Sequence, residues 1–231
     1  MTGEVPTGCT ALDELLGGGF ERGTATQLYG PPGAGKTNVA LSSAVAVAAE
    51  GGEALYIDTE GLSLDRFEQI LAGQTEDPDR AAENVMVSEA VDFDEQAQAV
   101  KDAADFAERL DLIVLDSATG FYRLERTADA MDGDALRAVA DQVTHLLGLA
   151  RKHDLAVVLT NQVFSDPDRE EGRPRPLGGH TLSHWTGTIL RLDRFKGGNR
   201  RAVVEKHRAK PDGESAEFVI TGSGIESERR L

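Results

Sequence analysis

Residues 30–37 read Gly30-Pro31-Pro32-Gly33-Ala34-Gly35-Lys36-Thr37. They complete the pattern G-x-x-x-x-G-K-[ST], a loop that wraps phosphate. The glycines are needed because a side chain there would collide with a phosphate lying against the backbone. The N–H groups of the loop, and of the helix behind it, then act as anion donors. Lys36 is placed to reach β- and γ-phosphates, and the Thr37 hydroxyl to ligate Mg2+. The flanks agree: residues 25–29 predict a strand, and residues 38–50, rich in Ala, Val and Leu, predict a helix. The nucleotide-binding set is Gly30, Pro31, Pro32, Gly33, Ala34, Gly35, Lys36, Thr37 and Asn38, with ATP and Mg2+ as expected ligands.

Outward from the loop, strands and helices alternate. Residues 7–16 predict a capped helical turn, with Thr7 or Thr10 as N-cap, stopped by Gly17-Gly18-Gly19. Residues 53–58 predict a second strand, 63–71 a short helix and 84–89 a third strand. Residues 92–109 predict a helix whose start carries Asp92 and, three residues on, Glu95, an Asp form of the capping box. Residues 110–116 are almost continuously apolar, as is 155–160, the pattern of parallel strands buried on both faces. A helix over 136–153 separates them. Residues 163–179 form a charged loop with Pro and Gly, of a length that is usually functional or disordered. Beyond it, 187–193, 200–206 and 216–220 predict strands, the first two joined by a hairpin at Gly197-Gly198-Asn199. This order predicts an α/β fold: a mostly parallel twisted sheet flanked by helices, with an antiparallel C-terminal edge. One core domain over residues 1–231 is expected.

Three polar residues fall at the ends of predicted strands, where ligands gather in such sheets. Asp116 closes a buried strand and can hold Mg2+ through water beside Thr37. Glu60 lies just past the second strand and can polarise a water attacking the γ-phosphate. Gln162 follows the strand 155–160, and its uncharged amide can sense the same phosphate.

The chain carries 40 acidic against 24 basic residues, a net charge of −16, and six of the basic residues are Lys. Such a surface points to a high-salt habitat, where strongly hydrated anions keep a protein soluble despite screening; an ordinary acidic enzyme is the alternative. With Cys9 as the one cysteine, no intrachain disulfide forms, in keeping with a reducing cytosol. Neither a membrane span nor an export signal is visible, so a cytoplasmic protein is expected. Against this acidity, residues 191–210 hold eight basic and two acidic residues. The cluster reads as phosphate contact, either with nucleic acid or with nucleotide on a neighbouring subunit. The stripe through Arg200, Arg201, Lys206 and Arg208 favours nucleic acid, with Lys206 and Arg208 on one strand face and His207 on the other.

Together these stretches resemble the RecA/RadA recombinase family, most closely its short archaeal paralogues. The resemblance is carried by Thr7-Gly8, Leu12-Asp13-Glu14-Leu15-Leu16-Gly17-Gly18-Gly19 and the phosphate loop. Tyr56-Ile57-Asp58-Thr59-Glu60-Gly61, Leu115-Asp116-Ser117 and Asn161-Gln162-Val163 follow, then Pro176-Leu177-Gly178-Gly179-His180 and residues 206–213. It implies a RecA-like ATPase core without the family's separate N-terminal DNA-binding domain. Glu60 matches the catalytic carboxylate, Gln162 the phosphate sensor and Asp116 the Walker B acid. The first DNA-binding loop falls around Tyr122 and Arg123, and the second on 163–179 with Arg169, Arg173 and Arg175. The implied role is an accessory protein of homologous recombination and DNA repair, with weak ATP hydrolysis and no strand exchange of its own. Its implied partners are DNA, single-stranded and without sequence preference, the RadA-type recombinase with other recombination proteins, and further copies of itself. Two rival classes are a KaiC-like signalling ATPase acting through protein partners, and an active strand-exchange recombinase.

Overall fold

The structure, a computed structural model, describes residues 3–121, 132–164, 175–177 and 179–228. The apolar runs singled out above form the middle of a sheet. Ala25–Gly30 (β1), Ala54–Asp58 (β2), Leu112–Asp116 (β4) and Ala156–Phe164 (β5) lie parallel, with Val85–Glu89 (β3) outside β2. On the other side of β1, Thr188–Arg194 (β7) pairs parallel, and Asn199–Lys206 (β8), Ser215–Thr221 (β9) and Gly224–Ser227 (β10) follow antiparallel. Among the described residues the order is β3-β2-β4-β5-β1-β7-β8-β9-β10, with Arg175–Pro176 (β6) paired to the end of β5. The expected parallel sheet with an antiparallel C-terminal edge is present.

Successive side chains along each central strand enter opposite layers. Leu28, Tyr56, Val114 and Val158 face a core closed by Thr10–Leu16 (α1), Lys36–Ala49 (α2), Leu64–Gln74 (α3) and Pro78–Glu83 (α4). Ala25, Ile57, Ile113, Leu115 and Val157 face a second core under Phe93–Asp102 (α5), Asp132–His153 (α6) and Gly179–Trp185 (α7). Every residue of β1, β2 and β4 is buried. A fully buried Leu or Ile contributes roughly 1.5–3 kcal/mol, so these central strands anchor the loops that leave their carboxyl ends.

Several local expectations are corrected. The N-cap of α1 is Cys9, without a side-chain bond to the helix. Thr7 instead turns the chain, its hydroxyl accepting the Cys9 N–H and donating to the Cys9 carbonyl, each at 3.1 Å. Asp92 does cap α5, receiving the Glu95 N–H at 2.8 Å, but the Glu95 carboxylate takes the N–H of Val91. That helix ends at Asp102 and tightens into a 3-10 turn. The helix expected over 63–71 runs to Gln74, and α4 follows, opened by the Asp77 side chain with Pro78 in its first turn. Strand β10 was not foreseen, because Gly-Ile-Glu-Ser holds one large apolar side chain. Within 163–179, residues 163–164 still belong to β5, while α7 begins at Gly179.

Candidate nucleotide site

Strand β1 delivers the chain into the phosphate loop, and α2 opens directly behind it at Lys36. Gly33 and Gly35 have φ of 72° and 101°, the left-handed region where glycine alone is unstrained. Lys36 is 8% exposed and its Nζ donates to the carbonyls of Gly30, at 3.0 Å, and Pro31, at 3.4 Å. Burial lowers the pKa of this ammonium, while the charges of Glu60 and Asp116 oppose the shift. Both acids therefore stand within electrostatic reach of the loop lysine.

Asp116, at the end of β4, is 2% exposed. Tyr56 Oη donates to its Oδ2 at 2.6 Å, and the Thr160 hydroxyl donates to its Oδ1. A third hydrogen bond joins it to Thr37. Burial raises its pKa; the three hydroxyls pull it back, and the Glu60 charge adds to the rise. Thr37 and Asp116, read from the sequence as a metal pair, are thus brought together. Among the described residues there is no cluster of three His, Cys, Asp or Glu side chains. A site of one hydroxyl and one carboxylate suits Mg2+, which keeps most of its waters and binds substrate phosphates.

Glu60 sits on the loop after β2, and Gln162 Nε2 donates to its Oε1 at 3.0 Å. The 102 residues between them are spanned by the sheet, which sets the ends of β2 and β5 on either side of β4. Asp58 holds this loop: its carboxylate receives the N–H groups of Glu60 and Gly61, each at 3.1 Å, and of Leu62. Thr59 adds a stitch to the neighbouring loop, its N–H reaching the Asp116 carbonyl and its hydroxyl receiving the Ser117 N–H, each at 2.8 Å. The peptide bond between Asp116 and Ser117 is cis.

Sequence reasoning missed Asp58, Tyr56 and Thr160, which position Glu60 and Asp116. Their placement on predicted strands was visible, but not which groups each would meet across the sheet. It also missed Arg66, on α3. Arg66 donates to Asn38 Oδ1 at 2.8 Å and reaches the carbonyls of Thr221, at 2.8 Å, and Gly224, at 3.0 Å. Asn38 is thereby linked to the turn between β9 and β10.

The expected DNA-facing residues separate into groups. Tyr122, Arg123, Arg169 and Arg173 lie outside the described residues; the backbone of Arg175 pairs with Phe164. Arg201 bonds Glu217 at 2.8 Å and lies over the Phe195 ring, 5.0 Å from its centroid. Lys206 Nζ donates to the carbonyls of Ser183 and Thr186, both at 2.7 Å, at the end of α7. Arg208 pairs with Glu21 at 2.9 Å. It lies past the end of β8, so the strand alternation expected across 206–208 does not occur. Arg200 is buried beside the phosphate loop.

With this geometry in place, the comparisons with known proteins agree. The Rad51 family model matches residues 2–228. The DNA repair and recombination protein RadB of Halobacterium salinarum is 71% identical over 223 residues, covering 96% of this chain and 94% of that protein. The protein of the same name from Methanococcoides burtonii is 43% identical over 218 residues, 94% and 95% of the two chains. A crystal structure of the RadB recombinase has a TM-score of 0.83 at 36% identity, covering 97% of this chain and all of that one.

Proposed function

This chain belongs to the Rad51 family, and from that membership and its phosphate-loop geometry we propose a RadB-type DNA repair and recombination protein that binds ATP and DNA. The observation that carries the nucleotide half is the convergence of Lys36, Thr37, Asp116, Glu60 and Gln162 at one edge of the sheet. Mg2+, held by Thr37 and Asp116, would neutralise phosphate charge. Lys36, which satisfies itself on two loop carbonyls, would exchange them for phosphate oxygens. Glu60 would orient water, and Gln162, already hydrogen-bonded to it, would report the γ-phosphate to β5 and so to the segment that follows.

The DNA half rests on the named relatives and on the arginines of 163–179. ATP binding acts as the switch and hydrolysis is slow, since Pro31 and Pro32 bring no second acid to the loop. The protein works in the cytoplasm, with the RadA-type recombinase among its partners. No helix among the described residues is long and apolar enough to cross a membrane. The deciding experiment is fluorescence anisotropy with labelled single-stranded DNA, with and without MgATP, for the wild type and Lys36→Ala. Tighter binding with MgATP, lost in Lys36→Ala, supports the reading. DNA affinity that ignores both nucleotide and mutation removes the switch.

A further inference from the structure

Two arginines overhang the phosphate loop, and among the described residues no carboxylate pairs with either. The sheet puts them there. Strand β7 runs parallel to β1, with Tyr29 opposite Arg191, so the end of β7 passes directly alongside the start of the loop. The approach is close enough that a methyl on Gly30 would stand 2.3 Å from the Leu192 carbonyl oxygen. Three residues along the loop, a methyl on Gly33 would stand 2.8 Å from Arg194 Nη1. One on Gly35 would meet Ile220, from β9, at 2.9 Å and Arg200 Nε at 3.8 Å.

Arg194 and Arg200 are register partners across the antiparallel pair β7–β8. Like charges directly opposite one another destabilise a sheet. On the same two strands Arg191 is answered by Asp193 and Glu205, and Arg201 by Glu217. Arg194 has no hydrogen-bond or ion-pair partner among the described residues. Arg200 is 8% exposed; its Nη1 reaches the Asn199 carbonyl at 2.8 Å, while its buried Nε has no partner. Burial, and then the Arg194 charge, depress the Arg200 pKa, and no carboxylate counters them. A buried guanidinium N–H without an acceptor costs free energy unless a ligand supplies one.

We propose that Arg194 and Arg200 form a phosphate-binding pair that acts on the nucleotide held by the same chain's loop, so that nucleotide binding relieves their repulsion and clamps the β7–β8 hairpin onto the loop. The inference rests on the nucleotide reading given above. It takes Arg200 out of the DNA-facing stripe and adds Arg194, which no sequence motif marks. Guanidinium suits the task because its fork of donors matches phosphate oxygens and its charge persists. The clamp gives the antiparallel edge a means of sensing nucleotide without a second subunit.

The test uses Arg194→Gln, because Arg194 is exposed and its replacement leaves the core intact. MgATP binding is followed by calorimetry at fixed salt, and thermal melting of the nucleotide-free protein is measured alongside. Two opposite effects are expected: MgATP affinity falls about tenfold, while the nucleotide-free protein melts higher because a like-charge pair is gone. Arg194→Lys, which keeps the charge but loses the fork, should bind MgATP with an affinity between those of Arg194→Gln and the wild type. Lys36→Ala serves as the control. Wild-type MgATP affinity in Arg194→Gln, with binding lost in Lys36→Ala, would overturn the pair and leave the nucleotide site standing. Weaker single-stranded DNA binding at unchanged MgATP affinity would also overturn it, assigning the pair to DNA phosphates. If Lys36→Ala binds MgATP as the wild type does, the nucleotide reading fails and the inference falls with it.

Discussion

Tyr56→Phe isolates the support of the metal-side carboxylate. The hydroxyl donates to Asp116 Oδ2 at 2.6 Å, with Tyr56 fully buried and Asp116 2% exposed. Water cannot readily replace the lost donor. A hydrogen bond to a charged group contributes about 1.5–3 kcal/mol, and the Phe ring keeps the packing, so about 2 kcal/mol is expected. For a chain of this size that lowers the melting midpoint by about 4–8 °C. The cost should depend on pH, and the sign follows from the carboxylate. Burial raises the Asp116 pKa above its unfolded value. The folded state therefore bears the cost of an ionised buried carboxylate at high pH and is relieved of it as acid protonates Asp116. Tyr56, whose own pKa burial pushes far up, remains a donor throughout. Removing that donor raises the Asp116 pKa further. The penalty should be full near pH 8 and shrink as pH falls through the raised Asp116 pKa. Urea unfolding of both proteins at several pH values measures it. A penalty constant from pH 8 down to the onset of acid unfolding would refute the reasoning. So would an equal penalty in an Asp116→Asn background, where no charge remains to be stabilised.

Further expectations concern the loop and the DNA-facing residues. Lys36→Ala should weaken MgATP binding at least tenfold, about 1.4 kcal/mol, by calorimetry. Asp58→Asn keeps one acceptor of the three N–H groups it holds, so it should loosen the Glu60 loop and lower ATP turnover with little change in MgATP affinity; equal loss of both would place its role in binding. Lys206→Met should lower stability by about 1 kcal/mol through the exposed end of α7, and leave the salt slope of DNA binding unchanged, because its ammonium already serves Ser183 and Thr186. Replacing Arg169, Arg173 and Arg175 together with Ala should reduce that slope by about three, read by anisotropy across a salt series.

The sequence alone determined the phosphate loop, the alternation of strands and helices, and the strand-end positions of Glu60 and Asp116; Gln162, expected just past a strand, lies within β5, which runs on to Phe164. Each of these is written in contiguous residues: the loop is eight in a row, and a strand buried on both faces appears as an unbroken apolar run. Family resemblance followed from the order of such stretches. Only the tertiary structure decided which side chains answer which. Tyr56 and Thr160 meet Asp116 from 60 and 44 residues away, because β2 and β5 flank β4. The basic segment shows the limit most clearly. Its charges could be counted from the sequence, but charge is not availability. Strand register pairs Arg201 with Glu217, and chain direction turns Lys206 onto helix carbonyls. The same register sets Arg194 against Arg200 above a loop more than 150 residues earlier. Hydrogen bonds and ion pairs act over a few ångströms and depend on direction, so their partners are settled by strand order and register rather than by nearness along the chain.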